Sequence, residues 1–318
     1  MDPVNLPQTE RVLFARYPRL RELVPFVELA DGLPTPVEQL DDGLWVKRDD
    51  LTDSRYGGNK VHKLEHVLAI ALRRGGPVLT AGAIGSHHVY ATAVHAARLG
   101  LDVEAVRFPQ PRTPHVDAID EALRALPNVM FTPVSHSYLM PVALAARRVA
   151  IERAGGYAVL PGATSPLGVL GYVNAGLELV EQMPEPPDDV VVALGSGGSA
   201  VGLALGLALG GWHRTDVIAV RVADAIVTNR VVLGAHEVGA RAALAVGGAM
   251  CGPVRLRIDT RWFGDGYGHP TDAGDEATKA AVDLGLSVEP TYTAKALAAA
   301  LDGRRQGRRV LFLQTFAG

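Results

Sequence analysis

Residues 190–212 read VVVALGSGGSAVGLALGLALGGW, 23 residues without a charge. A run of that length can span a bilayer. Its internal order argues for something else. It opens on the β-branched triplet Val190–Val192, and seven of its residues are glycine. A buried strand over Val190–Leu194, a turn at Gly195-Ser196-Gly197-Gly198-Ser199 and a buried helix over Ala200–Leu209 account for that order. The same strand–turn–helix unit recurs outward on both sides. Strands are predicted at 77–80, 103–108, 129–133, 157–160, 217–222 and 310–313, with helices at 86–99, 116–126, 138–154, 166–181, 272–284 and 293–301. Such alternation predicts an α/β protein of mostly parallel sheets with helices on both faces.

At roughly 150 residues per domain, a chain of 318 predicts two domains. Apolar residues make up 48% and charged ones 20%, which is ample for a core and excludes a disordered chain. The net charge of -3 is mixed along the chain, so neither a nucleic acid nor a membrane surface is expected as a partner. The lone Cys251 cannot form an internal disulfide, and the opening MDPVNLPQTERVLF has no basic-then-apolar leader pattern. A cytoplasmic location is expected on those grounds.

In folds of this kind ligands bind beyond the carboxyl ends of strands, where glycine lets the backbone come close. Three loops fit. Gly195–Ser199 leads into the helix from Ala200, and a helix N-terminus with serine hydroxyls suits a phosphate. Its Gly195, Gly197 and Ala200 also match the loose dinucleotide fingerprint, so a monophosphate cradle and a nicotinamide site both remain open. Gly57-Gly58-Asn59-Lys60 opens a helix on which Leu64, Val67, Leu68 and Ala71 recur at helical spacing. A lysine in a first helical turn faces the positive dipole end, and burial lowers its pKa further, which suits a reactive amine. The chain has only five lysines (47, 60, 63, 279 and 295), and only Lys60 follows a Gly-Gly turn. The third loop, Gly82-Ala83-Ile84-Gly85-Ser86-His87-His88, offers N–H groups for a carboxylate, with Ser86 as N-cap.

Taken together, these segments resemble one family. Lys47-Arg48-Asp49-Asp50-Leu51-Thr52 with Gly57–Glu65 is similar to the signature of the D-cysteine desulfhydrase and 1-aminocyclopropane-1-carboxylate deaminase family. The likeness continues through Gly162–Ser165, Gly168, Gly171-Tyr172, Gly195–Ser199, Gly266-Tyr267-Gly268, Glu289–Ala296 and Leu313-Gln314-Thr315. The resemblance implies a fold-type II pyridoxal-phosphate (PLP) enzyme, related to the tryptophan synthase β-subunit, with the cofactor in an interdomain cleft. It implies a large domain of 1–58 with 166–318, a small domain of 59–165, and a homodimer.

Residue by residue, the resemblance implies that Lys60 holds PLP as a Schiff base and that Gly195, Ser196, Gly197, Gly198, Ser199 and Ala200 cradle its phosphate. Asn59, His87, Thr293 and Thr315 are implied cofactor neighbours, with Thr315 facing the pyridine nitrogen. Gly85, Ser86, His87 and His88 are implied for the substrate carboxylate. Tyr267 and Tyr292 are implied at the leaving group, and Tyr90 and Tyr172 are expected to serve packing. Ring-opening deaminases of the family carry glutamate where this chain has Thr293, so the resemblance favours desulfhydrase-like elimination, which needs a weaker electron sink. The expected substrate is a small β-substituted amino acid, with β-replacement or ring opening as the alternative.

Three positions depart from the family pattern. His87 stands where asparagine usually contacts the cofactor's phenolic oxygen, and it is expected to donate a hydrogen bond there instead. Gly85 replaces a common glutamine, and Phe316-Ala317 replaces a common Gly-Gly. Outside the resemblance, His62-x-x-Glu65-His66 matches a zinc pattern literally, but it lacks a third ligand, so no metal is expected. A nicotinamide oxidoreductase and a catalytically silent ligand-binding protein are the rival classes.

Overall fold

The computed structural model describes residues 10–316. Two short helices, α1 (Val12–Arg16) and α2 (Pro18–Leu23), precede a hairpin of β1 (Val37–Asp41) and β2 (Leu44–Lys47). Then come α3 (Lys60–Arg74), β3 (Val78–Ala83), α4 (His87–Arg98), β4 (Val103–Phe108), α5 (Pro114–Arg124), β5 (Val129–Pro133), α6 (Met140–Arg153) and β6 (Tyr157–Ala158). The remainder is α7 (Pro166–Gln182), β7 (Asp189–Leu194), α8 (Gly198–Leu209), β8 (Asp216–Arg221), α9 (Arg230–Val246), β9 (Leu256–Asp259), α10 (Asp272–Asp283), α11 (Thr293–Arg305) and β10 (Val310–Leu313).

The strands form two sheets, β1-β2-β10-β7-β8-β9 and β5-β4-β3-β6. Every pairing is parallel except the β1–β2 hairpin. All six residues of β7 are buried, as a central parallel strand covered on both faces requires. One apolar cluster, from α7, α8 and α9, covers one face of the large sheet, and another, from α10 and α11, covers the other. The small sheet lies between α3 and α4 on one side and α6 on the other. Leu29, Ala30 and Leu33, expected with the large domain, pack in the small sheet's core.

The uncharged stretch that decides the fold is β7, its turn and α8. No helix among the described residues is long and apolar enough to cross a membrane. The glycines inside α8 serve packing rather than ligand approach. A Cβ at Gly206 would lie 2.3 Å from the Val173 carbonyl oxygen, so only glycine lets α8 come this close to α7. Gly171 does the same for α7 against α3, where a Cβ would meet the His62 carbonyl oxygen at 1.9 Å.

The structure adds elements that periodicity does not single out. On α9 only Leu233, Ala240 and Leu244 are buried, while Val231, Val238 and Val246 are exposed, so its apolar period is blurred. The strand expected at 157–160 ends at Ala158, because a 3-10 turn begins at Pro161 and proline cannot extend the ladder.

Candidate active site

The loops after β7 and β10 meet at the start of α3, and Asn59 joins them. Its N–H donates to the Thr315 carbonyl at 2.8 Å. Its Nδ2 donates to Ser199 Oγ at 3.2 Å, and its Oδ1 accepts from Lys60 Nζ at 2.6 Å. The side chain of Asn59 thus ties the lysine to the Gly195–Ser199 loop, and its backbone N–H ties the turn to Thr315.

Lys60 is the first residue of α3, preceded by the Gly57-Gly58 turn, where Gly58 has φ +108°. The residue keeps some exposed surface, but protein encloses its amine. Burial pushes that amine down to about 8, against the opposing pull of Glu289. Glu289 is itself buried, and its carboxylate accepts the N–H groups of Thr291, Tyr292 and Thr293, capping α11. The Thr293 hydroxyl accepts from the Glu289 N–H at 2.8 Å, so it is turned into this cap.

The loop after β7 begins α8 at Gly198, with Gly197 at φ +91°. A Cβ at Gly198 would lie 2.7 Å from Thr164 Oγ1, and Ser196 Oγ is hydrogen-bonded to that same hydroxyl at 2.7 Å. The ring of Tyr292 lies 3.4 Å from the place a Gly195 Cβ would take. Tyr292 donates to the Tyr267 hydroxyl at 3.0 Å, and burial raises both phenols, so both stay protonated.

After β3, Ser86 caps α4 and its Oγ accepts from the Val89 N–H at 3.4 Å. The N–H groups of His87 and His88 open that helix, where no intrahelical carbonyl is available to them. The His88 imidazole is turned inward, with Nε2 2.8 Å from Thr80 Oγ1, so it can offer the cleft only its backbone. His87 has both ring nitrogens occupied: Nδ1 lies 2.5 Å from the Tyr56 hydroxyl and Nε2 2.8 Å from His115 Nε2. The Phe316 ring covers His87 at 4.1 Å between centroids.

The model of the pyridoxal-phosphate dependent enzymes matches residues 29–315 of this chain. The chain belongs to that family. It is 35% identical to the D-cysteine desulfhydrase of Salmonella typhi over 324 aligned residues, 94% of each protein. Among solved structures it matches an ACC deaminase homologue at a TM-score of 0.80 and 28% identity, over 97% of this chain and 95% of that one. Threonine deaminase isoform 2 from Solanum lycopersicum matches at 0.65 and 18% identity, over 98% and 91%, a likeness of fold alone. The chain is thus a PLP enzyme of fold type II.

The residues present fit that cofactor. The Gly195–Ser199 loop is a bare-backbone cradle at a helix start, with a Cβ excluded at Gly198. Lys63, which the three loops do not include, adds a buried amine. It is 1% exposed, its amine lies over the Tyr172 ring at 6.0 Å, and it forms no salt bridge among the described residues. Burial, then Lys60, pushes its pKa well below the usual lysine value. Burial and the Lys63 charge both lower His236, whose Nε2 donates to the Ser196 carbonyl at 3.2 Å, so the amine lies near the loop. A buried amine in want of an anion, beside a phosphate cradle, is what the cofactor's phosphate would complete. The clue in the sequence was the crowding of three of five lysines into residues 47–63.

The literal zinc pattern is engaged elsewhere. Glu65 Oε1 accepts from Arg11 Nη2 at 2.5 Å and from the N–H groups of Leu29 and Ala30. His66 Nδ1 donates to the Pro25 carbonyl at 3.0 Å, and His62 lies 3.3 Å from Asp49. Tyr172 is fully buried, and its hydroxyl donates to Asp49 Oδ2 at 2.6 Å, a packing role. Tyr90 packs edge-on against Tyr56 at 4.6 Å.

Proposed function

We propose that the chain catalyses α,β-elimination from a small β-substituted amino acid, D-cysteine first among them, giving an α-keto acid, ammonia and a thiol. The observation that carries this reading is Lys60: an amine near 8, held by Asn59 against the phosphate loop, in a chain 35% identical to a D-cysteine desulfhydrase.

Lys60 would carry the cofactor, and Gly195–Ala200 with Lys63 would hold its phosphate. Asn59, Thr315, Thr293 and His87 would lie around it. Bound PLP supplies an electron sink for charge developing at the substrate α-carbon. The residues do the rest. The N–H groups of Gly85, His87 and His88, with the Ser86 hydroxyl, bind the carboxylate and fix the substrate's orientation. Lys60 Nζ takes the α-proton, and an amine near 8 is partly neutral at neutral pH, as a base must be. Tyr267 and Tyr292 hold the departing β-group. The Tyr292 hydroxyl donates to Tyr267, which leaves the Tyr267 proton available to the cleft.

The same reading includes a small domain of 59–165 packed on the rest, a cytoplasmic location and a homodimer. Light scattering on the eluting protein should give twice the 33.6 kDa of one chain. The test of function is a panel of D- and L-cysteine, β-chloroalanine, diaminopropionate and 1-aminocyclopropane-1-carboxylate, with product identification. D-cysteine should release pyruvate and sulfide. A PLP-loaded protein that releases no α-keto acid from any of them overturns the reading.

A further inference from the structure

The side chains of His87, Tyr56 and His115 form a hydrogen-bonded line to which the elimination scheme above gives no proton-transfer role. Tyr56 stands in the loop before α3, His87 at the start of α4 and His115 in the first turn of α5. The Tyr56 and His87 rings lie 20° from parallel, with the Tyr56 hydroxyl 2.5 Å from His87 Nδ1. On the other side the two imidazoles meet Nε2 to Nε2 at 2.8 Å. One of those nitrogens must carry a proton and the other must not. His115 is half-buried, and Phe316 packs over both His87 and Tyr56.

We propose that Tyr56, His87 and His115 are a proton relay, in which His115 is a positioning residue acting through His87 to decide whether the Tyr56 hydroxyl proton can be given to the cleft. This rests on the elimination reading for its use, but not for its wiring.

A phenol is the stronger donor and an imidazole nitrogen the stronger acceptor, so at rest Tyr56 O–H donates to His87 Nδ1. His87 Nε2–H then donates to His115 Nε2, and His115 carries its own proton on Nδ1. The relay delivers from the reversed tautomers, in which His115 Nε2–H donates to His87 Nε2 and His87 Nδ1–H donates to the Tyr56 oxygen. The Tyr56 O–H is then free to turn to the cleft. Its proton passes to the forming thiolate, the His87 Nδ1 proton refills the phenol, the His115 Nε2 proton passes to His87 Nε2, and water supplies one proton to His115 Nδ1. Each O–H or N–H bond broken along the line is remade from the next member, an S–H bond forms, and one proton enters from solvent for each one delivered, which leaves the resting tautomers.

The surroundings suit this. Burial, then His115 and Lys60, holds His87 down to about 3, so the resting imidazole is neutral. Burial, with Tyr90 and Glu289, raises the Tyr56 phenol, so its proton leaves only as it is replaced. The groups facing the line are Lys60 on α3, Tyr90 on α4 and Glu289 before α11. His115 itself faces His87.

The direct test is two-bond proton–nitrogen spectra of the PLP-loaded protein labelled with 15N-histidine, assigned with His87→Asn and His115→Gln. His87 should be neutral, with its proton on Nε2, between roughly pH 5 and 8, the range in which free histidine titrates. In Tyr56→Phe, the tautomer signal of His115 should change although His115 does not touch Tyr56. A His115 spectrum identical in wild type and Tyr56→Phe overturns the relay, as does a His87 proton fixed on Nδ1. In turnover, His115→Ala should lower kcat about tenfold, less than loss of a direct acid or base because water can enter. KM should stay within about twofold, and added imidazole should restore kcat. An unaltered kcat and pH profile in His115→Ala overturns the relay's part in the reaction. A protein with the expected spectra that turns over none of the amino acids keeps the relay and loses the elimination reading.

Discussion

The two walls of the cleft are built by different means. On the large-sheet side, the Gly195–Ser199 turn offers bare backbone and hydroxyls, with a Cβ excluded at Gly198 by Thr164. On the small-sheet side, Tyr56, His87, His115 and Phe316 fill the wall with rings that touch one another. The first wall is made by the main chain, so almost any change there disturbs it. The second is made by side chains, so it can be rebuilt without moving a strand. The positions at which the sequence departs from the pattern it resembles, Gly85, His87 and Phe316, fall at or beside the second wall, and none falls in Gly195–Ser199. The contrast predicts that cofactor binding and substrate choice can be altered separately.

That separation can be broken from either side. The largest effect is expected at the lysine between the walls. Lys60→Ala should lower kcat/KM about a thousandfold or more, as loss of an anchoring base does, and abolish visible absorbance of the loaded protein. Next is the main-chain wall. Gly197→Ala places a side chain at φ +91° and a Cβ 2.5 Å from Leu233, so PLP affinity should fall roughly tenfold to a hundredfold. Equilibrium dialysis reads it, with KM for the amino acid little changed.

A third effect concerns pH. The folded Lys60 amine lies near 8, below the ordinary 10.5, so the folded cofactor-free protein binds this proton less well than the unfolded chain. Below pH 8 a buried charge therefore opposes folding, and that opposition fades as pH rises from 8 to 10.5. Cofactor-free Lys60→Met should melt higher than wild type at pH 7, and the gap should narrow over that window. A gap that widens with pH would reverse the assigned shift.

Smaller changes come from single hydroxyls and rings. Tyr292→Phe removes the 3.0 Å bond to Tyr267 and should cost roughly threefold to tenfold in kcat, the worth of one neutral hydrogen bond. Phe316→Ala uncovers His87 and should change KM about threefold while PLP absorbance and affinity stay put, a side-chain change on the side-chain wall. A loss of PLP affinity in Phe316→Ala as large as that in Gly197→Ala would refute the separation of the walls.

How much of this was legible follows the same line. A β-branched run followed by Gly-Ser-Gly-Gly-Ser announces β7, its turn and α8, because φ freedom and side-chain period are local properties. Lys60 at a helix start and Ser86 as an N-cap were equally local. The inward turn of His88 toward Thr80 was not, nor the capping use of the Thr293 hydroxyl, because each depends on which way a side chain leaves its helix. That Lys63 faces the Tyr172 ring and no carboxylate among the described residues also escapes the sequence, since it depends on how α3 packs on α7.

By itself, then, the sequence determined the alternation of strands and helices, the three ligand loops and the single lysine at a Gly-Gly turn. These depend on neighbours within a few residues, whose sterics and hydrogen bonds act before any folding at a distance. Only the tertiary structure decided that Asn59 joins Ser199 to Thr315, and that Tyr56, His87 and His115 form one line. Asn59 and Ser199 are 140 positions apart and His87 and His115 are 28. Such meetings are set by how two sheets and their helices pack, because a hydrogen bond forms only where packing brings donor and acceptor within about 3 Å in line.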